Sequence, residues 1–201
     1  MDNEGEWTPL LEDLLRGLVH AMNNRVTALS AFAELAALDD EALEIDMLRH
    51  EIHRLHAVSS LVSVLASRSR ETEALELDAV LEMALEIHSH HPRMRSVPCT
   101  LEKAGAILPV RVPRWALLRL TLLMIDAATR AGGASHATAV AIWLSGNDVV
   151  VRLHLVSPEP LGADATELAG LCGGVLAHAN GEAVLELPSL LELRRRENSR
   201  G

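Results

Sequence analysis

Tyrosine is absent from this 201-residue chain, phenylalanine occurs once and tryptophan three times, so aromatic residues make up 2%. A surface that stacks nucleic-acid bases is built on aromatic faces, and this composition argues against one. Positive charge is scarce as well: 18 Lys and Arg stand against 28 Asp and Glu, for a formal net charge of −10. A chain of that sign repels phosphate backbones unless its few bases cluster, so no nucleic-acid partner is expected. Cysteine occurs only as Cys99 and Cys172, with no Cys or His at metal-ligand spacing beside either. They read as two buried free thiols in a reducing compartment. Long hydrophobic runs are missing too. The longest, Ala116–Ala128, is broken by Arg119 and Asp126 and falls short of the roughly 18–20 residues of a membrane span. The acidic start MDNEGEWTP is not a secretory leader. These absences predict a soluble cytoplasmic protein with no membrane anchor. What is abundant is aliphatic: 49% hydrophobic residues with 23% charged is ordinary globular composition, rich enough for Leu/Ala/Val helix packing.

The apolar pattern divides the chain in two. From Trp7 to Ala37 it falls at Leu11, Leu14/Leu15, Leu18, Met22, Val26, Leu29, Ala33 and Ala36, a 3-4 spacing that predicts one long helix at a bundle seam. Thr8-Pro9 supplies its start, and Leu38–Glu41 reads as a turn. A second helix then runs to about Ser67, with Leu48, Ile52, Leu55, Val58, Val62 and Leu65 on its seam. Such a hairpin cannot cover its stripes alone, so a second copy completing a four-helix bundle is expected. The polar stretch from Ser67, with residues 69–74 at its centre, reads as a linker. Beyond it the pattern predicts a helix over Leu77–Ile87, short strands over Val97–Lys103 and Leu108–Val112, and an apolar helix over Pro113–Ala131 closed by Gly132-Gly133. Hairpins are expected around Ser145–Asp148 and Asn180-Gly181, with a short helix over Asp164–Cys172 between them. The fold class is α+β: a helical hairpin over 1–68 and a small α/β sandwich over 75–201.

With Leu11, Leu18, Met22 and Leu29 inward, the opposite face of the first helix carries Arg16, His20, Asn23, Asn24 and Thr27. Residues three and four apart are neighbours, so His20 lies beside Arg16, Asn23 and Asn24. An exposed imidazole is a nucleophile for phosphorus, and amides or a guanidinium beside it suit the oxygens of a transferred phosphoryl group. A solvated helix face has the same composition.

The segment LVHAMNNRVTALSAFAEL, residues 18–35, resembles the H-box helix of bacterial sensor histidine kinases, whose pattern is H-[DE]-x-N-N-x-[LV]-[TS]-x-[IL]. LVSVLASR (61–68) resembles the end of the second dimerisation-and-phosphotransfer helix. LELDAVL (75–81) and the α/β part downstream of it resemble the kinase catalytic domain in order and spacing. The resemblance implies that His20 is the phosphoacceptor and that Asn24 orients groups during transfer. Three departures stand beside it. The acidic residue that should come after the histidine is Ala21. The ATP-site helix offers Asp126 where an Asn is expected, a residue read here as a cap or surface group. The strand Val149–Val156 leads into SPEPLGAD (157–164) instead of Asp-x-Gly-x-Gly, and the second glycine box and lid are missing.

A hairpin that keeps His and Asn, ahead of a catalytic domain without its ATP site, is similar to histidine phosphotransferases of the ChpT type and, more loosely, to the sporulation phosphorelay phosphotransferase. That resemblance implies a phosphorelay shuttle. His20 takes a phosphoryl group from one receiver-domain aspartate, such as that of a hybrid histidine kinase, and passes it to another. Arg16, Asn24 and Asn23 compensate charge, small Ala21, Ala28 and Ala31 leave room for a receiver helix, and Mg²⁺ comes with the receiver. No cofactor of its own and no ATP are expected. The alternatives are a phosphatase in which Asn24 positions water, a docking module that needs no functional histidine, and a residual kinase. The other histidines read as structural: His50, His53 and His56 as a polar stripe on the second helix, His88, His90 and His91 as cations at a helix C-terminus, and His136, His154 and His178 without motif. Trp115 and Trp143 are expected in core or edge packing, and the basic run Leu193–Arg196 as a frayed end.

Overall fold

A computed structural model describes residues 5–38, 45–94, 97–134 and 139–199. Two long helices come first, α1 (Trp7–Leu38) and α2 (Ile45–Ala66), about 48 and 33 Å long at 1.5 Å per residue. Of the turn expected between them, Asp39, Asp40 and Glu41 lie outside the described residues. Then come β1 (Thr72–Leu75), α3 (Leu77–His88), β2 (Cys99–Gly105), β3 (Val110–Pro113), α4 (Arg114–Ala134), β4 (Val140–Gly146) and β5 (Val150–Val156). The chain closes with α5 (Ala163–Leu171), β6 (Val175–Ala179), β7 (Glu182–Pro188) and α6 (Leu190–Asn198).

The main sheet has strand order β2-β4-β5-β7-β6. The β2–β4 pair is parallel and the other pairs are antiparallel. Burial alternates along β4, β5 and β7, as expected of strands with one covered face. Their inward residues, Ile142, Leu144, Leu153, Leu155, Leu185 and Leu187 among them, are fully buried against the helical layer. Every residue of α4 from Ala116 to Asp126 is buried, because this helix is covered by the sheet, α3, α5 and the start of α1. Both hairpin turns form where the sequence places them. Asn147 Oδ1 accepts the N–H groups of Val149 and Val150 at 2.9 and 3.0 Å. Asn180 and Gly181 both have positive φ, 55° and 77°, which a two-residue turn of this hand requires.

Four expectations change. Thr72–Ala74, placed in the linker, form β1 by pairing antiparallel with β3. Gly132 and Gly133 do not end α4, which runs on to Ala134. The basic run near the C-terminus is helix α6, where the Ser189 hydroxyl caps the Glu192 N–H at 3.1 Å and Arg195 and Arg196 pair with Asp148 and Glu192. Finally, the two parts share a core: Leu10, Leu14 and Leu18 of α1 and Leu61 and Leu65 of α2 join the same buried cluster as α3, α4 and the sheet. The boundary at 69–74 separates two sequence patterns, not two interiors. Of the cysteines, both free, Cys172 is buried and Cys99 half-buried; burial pushes the Cys172 thiol up to about 12.

Candidate functional site

The first three turns of α1 are clamped to the α/β layer. The Trp7 N–H donates to Asp164 Oδ2 at 2.9 Å, and the Gly162 N–H donates to Glu6 Oε2 at 2.9 Å, so the starts of α1 and α5 satisfy each other's free amides. Further along, Gly17 meets the turn after α3 so closely that an added Cβ would sit 1.7 Å from the His90 carbonyl oxygen. A mid-helix glycine is explained by that approach.

Beneath this contact lies a buried polar cluster. Asp13 of α1, His88 at the end of α3, His91 just after it and Asp126 of α4 are each 7% exposed or less. Asp13 accepts Arg16 Nη1 at 2.9 Å on one oxygen and pairs with Arg93 through the other. Asp126 pairs with Arg130 at 2.9 Å, and Thr129 Oγ1 lies 3.3 Å from His88 Nε2. His91 Nδ1 accepts the main-chain N–H groups of Arg93 and Met94 at 3.2 and 3.1 Å. Its proton therefore sits on Nε2, 3.6 Å from Asp13 and 3.8 Å from Asp126. The ring has no lone pair left for a metal, and no group of three metal-ligating residues occurs among the described residues. The hydrogen bond from Arg93 holds the Asp13 carboxyl below its usual range despite burial, while burial, outweighing Asp126 and Asp13, lowers His91. Asp126 is thus no surface residue, and His88 and His91, at the helix C-terminus where the sequence places them, are buried in this cluster. The signal in the sequence was an acid within an apolar helix and two histidines three apart before a proline.

Past Leu18 the helix draws away from the layer and runs chiefly beside α2, tied to it by Arg25 Nη1 and Glu51 at 3.1 Å. Here His20, Asn23, Asn24 and Thr27 are all exposed. The Asn24 amide nitrogen lies 3.2 Å from His20 Nε2. An amide nitrogen only donates, so Nε2 accepts with its one lone pair and the ring proton is on Nδ1. Thr27 Oγ1 donates to the Asn23 carbonyl at 2.9 Å, which leaves the Asn23 side chain on the open face. Arg16, expected beside His20, is turned back to Asp13. The structure brings together His20 and Asn24 and parts them from Arg16. Val19 and Val26 on α1, and Met47 and Ile52 on α2, are exposed at 50%, 49%, 47% and 50%, although Val26 and Ile52 belong to the expected seams. His50, His53 and His56 are exposed on α2.

A cavity of about 300 Å³ lies between α4 and residues 157–161. It occupies the place at which the resemblance would put a nucleotide. Glu6 and Glu159 bring two carboxylates to its wall, and Pro158 and Pro160 have no N–H to offer. Its cation, Arg130, is committed to Asp126. A magnesium triphosphate needs cations and backbone N–H donors around its oxygens, so this lining does not fit one.

No helix among the described residues is long and apolar enough to cross a membrane. No protein-family profile and no curated protein matches the sequence. In three dimensions the chain is similar to the cytoplasmic segment of histidine kinase QseC, with 15% identity and a TM-score of 0.47 over 66% of this chain and 90% of that one. It is also similar to histidine kinase ThkA in complex with response regulator TrrA, with 15% identity and a TM-score of 0.44 over 92% of this chain and 63% of that one. A bacterial phosphotransferase is similar at 15% identity and a TM-score of 0.40 over 89% of this chain and 95% of that one. These are likenesses of general arrangement.

Proposed function

We propose that the protein is a histidine phosphotransfer protein of a two-component phosphorelay, carrying a phosphoryl group on His20 between receiver-domain aspartates. The observation that carries this reading is the exposed His20 ring, whose Nε2 accepts from the Asn24 amide at 3.2 Å and is freed for attack when that amide turns away. In the forward step Nε2 attacks the phosphorus of an aspartyl phosphate. The N–P bond forms as the aspartate O–P bond breaks, and the receiver keeps its carboxylate and its Mg²⁺. The proton on Nδ1 stays in place, so the chain supplies no general base, in keeping with Ala21 beside the histidine. Asn24 then donates to a phosphoryl oxygen in place of Nε2, with Asn23 on the same open face, and Arg16 reaches the oxygens once it leaves Asp13. The return step reverses these changes onto a second aspartate. ATP has no part in this reading, which the two carboxylates and two prolines of the cavity beside α4 support.

The exposed Val19, Val26, Met47 and Ile52 support a homodimer in which two hairpins complete a four-helix bundle around these side chains. The test is transfer from receiver domains labelled on their aspartates. Acid-labile, base-stable label on the wild-type chain and none on His20→Ala is the expected result. Loss of receiver label with none on this chain makes it a phosphatase acting through Asn24, and no change with any receiver leaves a docking module.

A further inference from the structure

The main sheet ends on two unlike edges, β2 on one side and β6 on the other. β2 carries Glu102, which accepts the Trp143 indole N–H at 2.9 Å, and Lys103, paired with Asp78 at 2.8 Å. Charged side chains on an edge strand resist pairing with a further chain. β6, with the sequence VLAHA, has no Asp, Glu, Lys, Arg or Pro. Val175 is 64% exposed, and Ala177 and Ala179 are exposed on the same outer face. Leu176 and His178 face the helical layer, where the His178 ring bonds the Ser157 carbonyl at 2.7 Å.

The ladder fixes which main-chain groups of β6 are open. On the β5 side of β7 the Ser157 N–H donates to the Gly181 carbonyl and the Ser189 N–H to the Val149 carbonyl, both at 2.9 Å, in the register that pairs Leu153 with Leu185. Bonds to the two sides alternate along an antiparallel strand, so Glu182, Val184 and Glu186 bond to β6 through Ala179, Ala177 and Val175. The two-residue turn at Asn180-Gly181 requires the same parity, because the pair flanking such a turn is hydrogen-bonded. Leu176 and His178 therefore turn their main-chain N–H and C=O groups to the free edge, where they meet no partner among the described residues. The outward N–H of Gly174 already donates to the Ala169 carbonyl at 2.9 Å.

We propose that β6 pairs with β6 of a second copy of this chain, antiparallel across a two-fold axis at Ala177, so that the two sheets become one. In that register Leu176 of each copy faces His178 of the other, and each of the two pairs exchanges two hydrogen bonds. Ala177 meets its own copy in the non-bonded pair between them, where Cα atoms approach to about 4.5 Å and a methyl group fits without crowding. Val175 lies opposite Ala179 of the other copy, so its exposed surface gains apolar neighbours. The Asn180-Gly181 turn of one copy falls beside Gly173-Gly174 of the other, where no side chain obstructs it; even a Cβ at Gly173 would meet nothing within 4 Å. Sliding by two residues either way brings in Gly174, whose amide is taken, or Asn180, whose φ of 55° is not that of a strand. No like charges come face to face, since Glu186 on the neighbouring strand is matched by Arg152 and Glu182 lies 2.9 Å from the His154 ring. A strand of another protein would need neither alanine at the centre nor glycines beside its turn, and this self-matching commits the edge to a second copy. Five residues a side fall below the size of a stable interface, so the association is weak and reversible.

The inference rests on residues 173–181 and on neither His20 nor the helical bundle. Its test follows amide exchange of the full chain residue by residue from about 10 µM to about 1 mM, with sedimentation of the same samples. The amides of Leu176 and His178 should slow about five-fold across that range, while those of Val175, Ala177 and Ala179 stay protected throughout. Ala177→Lys, which sets two like charges opposite each other at the axis, should abolish both the slowing and the added mass. Val26→Ser should leave the slowing intact, so failure of the bundle and failure of the edge are told apart. Should Ala177→Lys fail to fold, Ala177→Cys oxidised with diamide should give a covalent dimer linked 177 to 177, because the axial pair has disulfide spacing. Val156→Cys, exposed two strands in from the edge, should give far less. The proposal is overturned by unchanged exchange of both amides at about 1 mM, by equal association of the folded Ala177→Lys, or by cross-linking of Val156→Cys as extensive as that of Ala177→Cys.

Discussion

The two halves of α1 share one helix and one apolar periodicity, yet they live in different surroundings. From Trp7 to Leu18 the helix is covered on several sides: Leu14 and Leu18 are fully buried, and Asp13 is buried with its charge matched. From Val19 onward it runs chiefly beside α2, and Val19 and Val26 are half exposed. The seated half holds polar groups that must be satisfied because they are out of water. The projecting half holds polar groups free to meet another molecule, and apolar ones that gain by meeting a surface. The difference assigns stability to the first half and, in the proposed reading, exchange with partners to the second, along one continuous element.

That contrast is sharpest under substitution. Leu14→Ala should cost about 3 to 4 kcal/mol, the transfer term plus the cavity left in a closed interior, read as a drop in the denaturant midpoint at unchanged slope. In Gly17→Ala two effects oppose. Helix propensity favours alanine by up to about 1 kcal/mol, while the new Cβ would lie 1.7 Å from the His90 carbonyl oxygen and must push α1 off its seat. The clash wins, and a net loss of about 2 kcal/mol is expected in the same measurement.

The buried histidine adds a pH signature confined to the seated half. Burial holds the folded pKa of His91 below 6.5, so between the two values the unfolded chain binds more protons. Stability is then fully present above about pH 6.5 and is lost as pH falls through the folded pKa. Thermal melts from pH 7.5 to about pH 5 should decline in the wild type and be flatter in His91→Gln. A parallel decline in both would assign the titration elsewhere. Asp13 shifts in the opposite part of the scale: its depressed pKa contributes stability above 3.8 that is lost as pH falls further, outside that window. The smallest effects on stability belong to the projecting half. His20→Gln and Val26→Ser should each change it by no more than about 0.5 kcal/mol. The first should abolish transfer while leaving the molecular mass of the assembly unchanged, and the second should weaken self-association in sedimentation.

How much of the molecule was legible in the sequence depends on the range of the interactions involved. The hairpin turns at Asn147 and Asn180-Gly181 depend on a few adjacent residues and form as read. Helix α6 was equally local, signalled by the capping pattern of Ser189 and Glu192, but its charged composition masked it. The His20–Asn24 pair was legible because residues four apart on a helix must be neighbours. Arg16 obeyed the same spacing and still turned away, since Asp13 lies three residues before it and competes for the same guanidinium.

By itself, then, the sequence determined the order of the elements other than β1 and α6, the amphipathic hairpin and the face that carries His20, all of which come from periodicity and short-range sterics. The tertiary structure alone decided that β1 pairs with β3, that Asp126 and His91 are buried together, that Gly17 admits a carbonyl, and that Arg119 lies between two indoles without an acceptor. Each of those joins residues tens of positions apart, and a periodic pattern states which face is apolar without stating what comes to cover it.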